Sequence, residues 1–409
     1  MNRINRRDLQ TMAVVIITLL VTLARSLRLP NEFAMTHWLF DYRFGFMKRA
    51  LVGSICALGS WLLGSSLSAP AIVVLSSALM VVFLVTMLAI LRQAMSPFRN
   101  DPEGLSVALV IVSSPFIVLS AHLIGYFDGL IYLIAALAIA TALGDRPGLS
   151  GLVSVIGVLT HESYVVVGLP LVALASYQGR RSSAPASTRR HCWLVLLPPL
   201  IAFGLLSAAV EWGNPAELRD HWTRHLAAFE FVKNRGPRTL ELNTTSFSQF
   251  WDSGFRLFYR RLVDSALLGT SLPTLLAVLL FAHTGYRVRP LSRSSLMILF
   301  TVLCPWLLHA LAWDSARISA YPICGALLAI WILSRTRASA PIPSAVIPAA
   351  LLAFLFNASS RTPLMDDQVE AFSIPMRAIL YAPAALLLIR AFAESGRSSA
   401  PEELGTLKP

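Results

Sequence analysis

Long apolar runs separated by short polar turns recur along the whole chain. The first run covers about residues 11–29, and similar runs follow as far as residue 392. A helix needs roughly 20 apolar residues to cross a bilayer core, and only helices and closed barrels satisfy their backbone polar groups in lipid. The pattern therefore predicts an all-α polytopic membrane protein with about 12 membrane helices, in a range of about 10–13, joined by juxtamembrane loops.

Most of these runs have the length and composition of simple crossings. The predicted crossings are 11–29, 71–91, 105–120, 129–143, 192–211, 262–283, 295–312, 318–334, 343–357 and 376–392. Two longer polar stretches, 212–260 and 358–375, are predicted to be loops on the outer side. Residues 1–393 then form a single transmembrane domain, and residues 394–409 a disordered cytoplasmic tail.

Two apolar segments do not fit a simple crossing. Residues 50–68 are rich in glycine and serine, and they could cross or stay at one face; the charges that follow favour the second interpretation. Residues 151–176 carry His161 and Glu162 in the middle of the run. Basic residues lie beyond both ends of this run, which predicts that both ends are on the cytoplasmic side. The run is therefore predicted to be two short helices that meet at the polar pair.

The number and distribution of charged residues predict how the chain is oriented in a membrane. Only 14% of the residues are charged, against about 25% in soluble proteins. The formal net charge of +12 comes from basic residues in short loops, above all 177–191. This distribution favours membrane topology and anionic lipid head groups over nucleic acid, and it predicts cytoplasmic N- and C-termini.

Polar residues that need a functional explanation converge on the predicted outer face. The first cluster, in residues 36–53, contains His37, Asp41, Arg43, Lys48 and Arg49. Ionisable residues beside a span are a functional-site hypothesis by default. Asp41 is the candidate general base or metal ligand, and Lys48 and Arg49 suit a phosphate. The alternative is that Asp41 pairs with its basic neighbours to hold a turn, and that the cations anchor helix ends.

Three further groups belong to the same predicted face. His122, Tyr126 and Asp128 lie between the runs 105–120 and 129–143. His161 and Glu162 mark the predicted helix break, either as substrate contacts or as a structural pair. Asp314 and Arg317 lie in a later turn, where their spacing also allows a simple ion pair with each other.

The order of these elements resembles the integral-membrane glycosyltransferases of the C superfamily. The resemblance covers residues 11–190: an early outer loop with an acidic residue, a Ser-Pro…His…Tyr-Phe-Asp element, and Thr-His-Glu at a broken helix pair. Residues 41–53 are also similar to bacterial membrane proteins of surface-polysaccharide loci. Two departures stand out, because the first loop lacks a paired acidic motif and because His161 replaces the usual lysine.

The resemblance implies an inverting sugar transfer from a polyprenyl-phosphate donor to a glycan or lipid acceptor on the extracytoplasmic face of a bacterial plasma (inner) membrane. Asp41 then matches the base, Asp128 the second acidic position, and a protonated His161 or Arg317 would contact phosphate. A divalent cation is left open, with Asp41 and Asp128 as its ligands. Membrane lipids are the other expected partners.

Three other functions fit parts of the same pattern. An oligosaccharide polymerase or ligase would carry several arginines in a large outer loop, as 212–260 does with Arg219, Arg224, Arg235 and Arg238. A transporter or flippase of lipid-linked glycans would need internal repeats and a polar path through the membrane, whereas the polar groups here gather on one side. An acyltransferase acting on surface glycans is the third.

Overall fold

The protein is entirely helical over the residues described by the computed structural model. These residues are 6–99, 101–180, 184–213, 215–263, 271–311, 314–365 and 368–398, and no strand occurs among them. The predicted all-α class is therefore confirmed for this part of the chain.

The helices follow one another with short connections. In chain order they are α1 Arg6–Ala24, α2 Glu32–His37, α3 Leu51–Leu62, α4 Ala69–Met95, α5 Pro102–Val112, α6 Pro115–His122, α7 Asp128–Leu143, α8 Pro147–Thr160, α9 Tyr164–Val167, α10 Leu169–Gly179, α11 Pro185–Trp212, α12 Pro215–Leu226, α13 Gly236–Thr244, α14 Phe247–Gly254, α15 Phe258–Arg261, α16 Ser271–Gly285, α17 Arg293–Leu303, α18 Ser315–Thr336, α19 Val346–Ser359 and α20 Ile374–Ser398. Short 3₁₀ helices cover Ser96–Phe98, Glu230–Val232, Phe255–Leu257 and Cys304–Ala310.

Six segments of the described chain are long and apolar enough to cross a membrane. They are Ala69–Phe98, Pro102–His122, Ser187–Trp212, Arg293–Ala310, Ser315–Thr336 and Ile374–Glu394. Shorter apolar helices accompany them: Gln10–Ala24, Leu51–Leu62, Asp128–Leu143, Pro147–Thr160, Tyr164–Gly179, Ser271–Gly285 and Val346–Ser359.

Burial separates the central helices from the peripheral ones. In α18, and in the segment formed by α5 and α6, 89% of the most apolar window is buried inside the protein. The corresponding share is 22% for α4 and 17% for α11. Apolar residues that remain uncovered on α4 and α11 are typical of a lipid-facing surface, whereas α18 packs against α4, α10 and α16 within the bundle.

One end of the bundle carries the basic connections. Arg180 and His191 both approach Asp145, and Arg337 donates to Gln178 Oε1 at 3.2 Å. These contacts bring the connections around residues 145, 180, 191 and 337 together. We call this end of the bundle the basic end.

The opposite end is covered by a cap, which consists of residues 32–50 together with α12 and α13. A second apolar cluster holds the cap together, with Trp222 fully buried against Phe40 at its centre. The predicted outer loop 212–260 is therefore not an open loop but a helical layer that packs on the first polar stretch of the chain.

The predicted break within 151–176 is present. The helix α8 ends at Thr160, His161 has an extended backbone, and α9 begins at Tyr164. A Cβ atom at Gly157 or Gly168 would lie 2.6 Å or 2.4 Å from the Tyr164 ring. The two glycines thus let the tyrosine ring pack between the two arms of the break.

The ambiguous segment 50–68 forms the short helix α3, which stays at the capped end. Gly53 at its start lies against the Phe40 carbonyl, where a Cβ atom would come within 1.9 Å. Ile72, in the first turns of α4, belongs to the same apolar cluster as the cap. Both ends of α3 therefore lie at this end of the bundle, the arrangement that the charge pattern favours.

Two predicted segments at the C-terminal side extend into residues that the structure does not describe. The predicted run 262–283 appears as α16 from Ser271, and residues 264–270 lie outside the described residues. The tail predicted to be disordered from 394 continues α20 as far as Ser398, and residues 399–409 lie outside the described residues.

A buried ion cluster fixes the connection between α19 and α20 to the end of α1. The carboxylate of Glu370 accepts from Arg25 at 2.9 Å and from Arg377 at 2.9 Å, and all three side chains are at most 2% exposed. The backbone N–H of Thr362 also donates to Glu370 at 2.6 Å. One carboxylate therefore compensates two buried guanidinium groups.

We expect Glu370→Gln to destabilise the protein by about 3–5 kcal/mol, because it leaves two guanidinium groups buried without a compensating charge. Thermal unfolding followed by intrinsic fluorescence in detergent measures the change. The control is Glu394→Gln, which removes the exposed ion pair between Glu394 and Arg390 on α20. This variant should leave Tm nearly unchanged. Equal Tm values for the two variants would contradict the proposed role of Glu370.

Candidate functional site

A large cavity lies between the cap and the helix bundle. Its volume is about 960 Å³, which is at the upper end of the range for small-molecule sites. Its walls come from the α1–α2 connection, the start of α7, the α8–α9 break, the start of α13, the start of α18 and the connection before α20. Nine of the residues singled out in the sequence line it: His37, Lys48, Arg49, Tyr126, Asp128, His161, Glu162, Asp314 and Arg317.

The cavity contains a two-pronged ion pair between Arg49 and Glu162. Arg49 Nη2 lies 2.5 Å from Oε1, and Nε lies 3.0 Å from Oε2. Burial alone would raise the pKa of Glu162, but the charge of Arg49, its hydrogen bonds to the carboxylate and the charge of Lys48 hold that pKa well below its usual value. The carboxylate is therefore ionised, and the pair connects the stretch before α3 to the helix break.

Arg49 reaches this pair from a backbone conformation that non-glycine residues seldom adopt. Its φ angle is 61°, in the left-handed region. Such conformations cost of order 1–3 kcal/mol and persist where surrounding contacts enforce them. The ion pair with Glu162 is the contact that holds the side chain in the cavity.

His37 supports the guanidinium of Arg49 from the other side. The His37 Nδ1 atom lies 2.8 Å from the Phe33 carbonyl oxygen, so it must carry the proton and donate. Its Nε2 atom is then the acceptor, 3.2 Å from Arg49 Nη1. Burial, together with the charge of Arg49, lowers the pKa of His37 to about 3, so the ring stays neutral and keeps this tautomer.

His161 has the opposite tautomer. Its Nδ1 atom accepts the backbone N–H of Ser163 at 3.1 Å, so Nδ1 carries no proton. The Ser163 hydroxyl lies 2.8 Å from the same atom. Burial and the charge of Arg49 lower the pKa of His161 well below its usual value. The protonated His161 implied by the family resemblance does not fit this environment, but a neutral ring still has an Nε2–H to donate.

A second charged cluster lies at the start of α7 and α18. The Tyr321 hydroxyl donates to Asp128 Oδ1 at 2.6 Å, and Arg317 Nη1 lies 3.5 Å from Asp128 Oδ2. Arg317 Nε lies 2.9 Å from Asp314 Oδ2, so the predicted pairing of these two residues is present. The Arg317 guanidinium also lies 5.6 Å from the centre of the Tyr126 ring.

A narrow crevice of about 30 Å³ adjoins this second cluster. It shares Tyr126, Asp128, Arg317 and Tyr321 with the large cavity. Its remaining lining is mostly apolar and comes largely from α4 and α6. The crevice therefore lies beside the charged cluster, between that cluster and the peripheral helix α4.

Lys48 is buried at the edge of the cavity. Its ammonium group donates to the Thr245 carbonyl at 2.7 Å, and its side chain is 1% exposed. Burial lowers the pKa of Lys48 to about 8, against the opposing influence of Glu162. The ammonium thus joins residues 32–50 of the cap to Thr245, the residue that follows α13, at the edge of the cavity.

Three predicted site residues do not line the cavity. Asp41 is buried and accepts from the Arg43 backbone N–H at 2.8 Å and from Arg43 Nε at 2.7 Å. Arg43 points away, with Nη2 3.2 Å from His225 Nε2. His122 lies behind the wall, where its Nε2 accepts the Met365 N–H at 3.1 Å. The turn-holding interpretation of Asp41 therefore describes its contacts in the structure.

Several lining residues were missed in the sequence. The polar lining residues that the sequence analysis does not single out are Arg28, Glu32, Asn234, Tyr321 and Gln368. Two more lining residues, Arg235 and Arg238, appear in the sequence analysis only as arginines of the loop 212–260. The basic composition of 212–260 was the available signal for Arg235 and Arg238. Nothing in the sequence distinguishes Tyr321 from other tyrosines in apolar runs.

The family resemblance leaves a divalent cation open, with Asp41 and Asp128 as its ligands. Among the described residues, no three His, Cys, Asp or Glu side chains are grouped in a way that could hold a metal ion. Asp41 and Asp128, the two named ligands, do not line the same cavity. A divalent cation therefore stays a prediction.

Comparison with the profiles of known protein families, with curated proteins and with solved structures found no match to this chain. The site must therefore be interpreted from its own contacts. They define a class of site: a polar cavity at one end of an apolar helix bundle, with paired buried charges in its walls.

We expect the protein to lose stability as the pH falls from 7 to 5, in part because of His37. The folded pKa of about 3 lies below the ordinary value of 6.5, so the unfolded chain binds more protons between these values and acid favours unfolding. At pH 5 the contribution is about 2 kcal/mol. His37→Gln should reduce the difference in Tm between pH 7 and pH 5.

The matched control for this measurement is His221→Gln, because that histidine is 42% exposed on α12. It should keep the wild-type difference in Tm between the two pH values. A His37→Gln protein with the full wild-type difference would show that the ring is not held neutral.

Proposed function

We propose that the protein is a membrane glycosyltransferase that moves a sugar from a polyprenyl-phosphate donor to a glycan or lipid acceptor. The observation that carries the proposal is the shared wall of the two spaces. Asp128, Arg317, Tyr126 and Tyr321 face both the polar cavity and the apolar crevice beside α4. A substrate with a sugar phosphate head and an isoprenoid tail needs these two environments side by side.

The orientation of the bundle is part of the proposal. The short connections around residues 145, 180, 191 and 337, at the end opposite the cavity, are basic, and by the positive-inside rule this favours that end as the cytoplasmic one. Both α1 and α20 meet at the capped end through Arg25 and Arg377, so both termini point toward the basic end. The cavity then faces the outside of a bacterial plasma membrane, with about 12 helices embedded in the bilayer.

Asp128 is the proposed general base, in place of Asp41. It lies in the first turn of α7, and Arg317 Nη1 is 3.5 Å from its Oδ2 atom. Its Oδ1 accepts from Tyr321, which fixes the carboxylate in the wall. Asp41 is occupied by Arg43 and has no surface in the cavity.

The proposed reaction is a displacement at the anomeric carbon. The acceptor hydroxyl oxygen forms the new glycosidic bond while Asp128 takes its proton. The bond between the anomeric carbon and the phosphate oxygen breaks, the phosphate leaves with the electron pair, and the configuration inverts. Lys48, Arg49 and the Nε2–H of His161 are the groups proposed to receive the growing negative charge of the phosphate.

A related function is favoured by one specific observation. Arg235 and Arg238, from the large loop between α11 and α14, line the same cavity. This placement also suits an oligosaccharide polymerase or ligase, which transfers a longer lipid-linked chain to an acceptor in the same kind of site. The two functions differ in the length of the glycan that is moved. A transporter or flippase of lipid-linked glycans and an acyltransferase have no comparable observation in their favour.

The test is transfer of radiolabel from undecaprenyl-phosphate hexoses and decaprenyl-phosphate pentoses to a membrane glycan extract, by purified protein in liposomes. We expect Asp128→Asn to lower the rate about 10²–10⁴-fold, the usual contribution of a general base. Asp41→Asn should retain most of the activity, since its contacts only shape a turn. Tyr321→Phe, which keeps the carboxylate but removes its hydrogen bond, should have an intermediate effect.

Tm values measured for each variant separate loss of folding from loss of chemistry. A folded Asp128→Asn protein with full activity would remove Asp128 as the base. A folded Asp41→Asn protein without activity would return that role to Asp41. No transfer from any of the donors by the wild-type protein would contradict the proposed donor class.

A further inference from the structure

The charges around the cavity are divided into two groups. The inner ones are matched: Arg49 is paired with Glu162, and Arg317 lies between Asp128 and Asp314. The outer ones are Arg235 and Arg238, two guanidinium groups at the rim that have no carboxylate partner within the described part of the chain. Glu32 is the carboxylate beside them at the rim.

The rim carboxylate is already occupied. Glu32 Oε2 accepts the backbone N–H groups of Asn234 and Arg235, each at 3.2 Å, and Oε1 accepts the Asn234 amide at 3.0 Å. Glu32 thus fastens the start of α13 to α2. It does so through backbone and amide groups rather than through either arginine side chain of this segment.

Arg235 and Arg238 keep their guanidinium groups available. Both side chains are exposed, and within the described part of the chain neither guanidinium makes a hydrogen bond, ion pair or ring contact. Arg235 caps α13 and Arg238 follows in its first turn, a spacing that puts the two side chains on the same face. Arg28, by contrast, donates to the His122 carbonyl at 2.7 Å.

We propose that Arg235 and Arg238 form an anion-binding subsite for a carboxylate or phosphate substituent of the acceptor saccharide. Two unpaired guanidinium groups on the wall of a cavity offer the planar, two-pronged donors that carboxylates and phosphates accept. The subsite lies on the cap wall, on a different element from the Asp128–Arg317 cluster. That the ligand is a saccharide rests on the proposed function; that it is anionic rests on the unpaired charges.

The experiment is protection from arginine modification. Phenylglyoxal is applied to the full-length protein in detergent, and the modified arginines are identified by mass spectrometry. The arms contain tetragalacturonate, which is carboxylated, maltotetraose, which is neutral, or farnesyl phosphate, which carries an isoprenoid anion. We expect tetragalacturonate to slow modification of Arg235 and Arg238 at least about fivefold, because bidentate anion binding occupies the reactive group. Arg256, which is exposed on the same loop but away from the cavity, should react equally in all arms.

A binding measurement provides the second test. Arg235→Gln/Arg238→Gln should weaken binding of tetragalacturonate at least about tenfold, since charge-assisted hydrogen bonds are lost, and Arg256→Gln should not. Equal protection by maltotetraose, protection by farnesyl phosphate alone, or no protection in any arm would overturn the proposal. Neither measurement uses sugar transfer, so protection without transfer would reject the proposed function and keep an anion subsite. Transfer without protection would reject the anion subsite and keep the proposed function.

Discussion

The ion pair between Arg49 and Glu162 is the constraint on which the site depends. A guanidinium and a carboxylate in a mostly buried wall must match each other, because removing either one leaves an uncompensated buried charge. Their positions are 113 residues apart in the chain. The pair therefore holds the stretch before α3, and with it the cap, to the α8–α9 break. The left-handed backbone at Arg49 and the neutral His37 beside it are both consequences of that requirement.

The hydrophobic pattern predicted the parts of the fold that depend on local composition. The apolar runs predicted the helices. His161 and Glu162, in the middle of one run, predicted the break in that helix, because two ionisable groups within an apolar segment need a partner or a polar space. Charges on either side of 50–68 favoured a helix that stays at one end. In each case the energetic cost of burying a polar group is large enough to appear in the sequence.

The same reasoning failed where the outcome depends on which partner a polar group finds. Asp41 and Asp128 are both carboxylates at the capped end of the bundle. Asp41 contacts Arg43, two residues later, whereas Asp128 contacts Tyr321 and Arg317, which are distant in the chain. Asp41 is buried within the cap, next to the contact between Phe40 and Trp222. That contact joins segments that are distant in the chain. Arg235 reaches the cavity for the same reason, through a loop whose path the sequence does not specify.

The division between matched and unmatched charges also bears on the order of events in the site. Because Arg49 and Arg317 already have carboxylate partners, an incoming phosphate must compete with Glu162 or Asp314 for them, and the attraction it gains is the difference between two ion pairs. Among the described residues, no carboxylate competes for a neutral donor such as His161 Nε2–H. In the same part of the chain, no carboxylate is paired with Arg235 or Arg238 either. For the proposed transfer, this geometry would favour strong ground-state binding of an anion at the rim and weaker ground-state binding of the phosphate in the interior. Interactions that strengthen only as the phosphate leaves would then be the ones that accelerate the reaction.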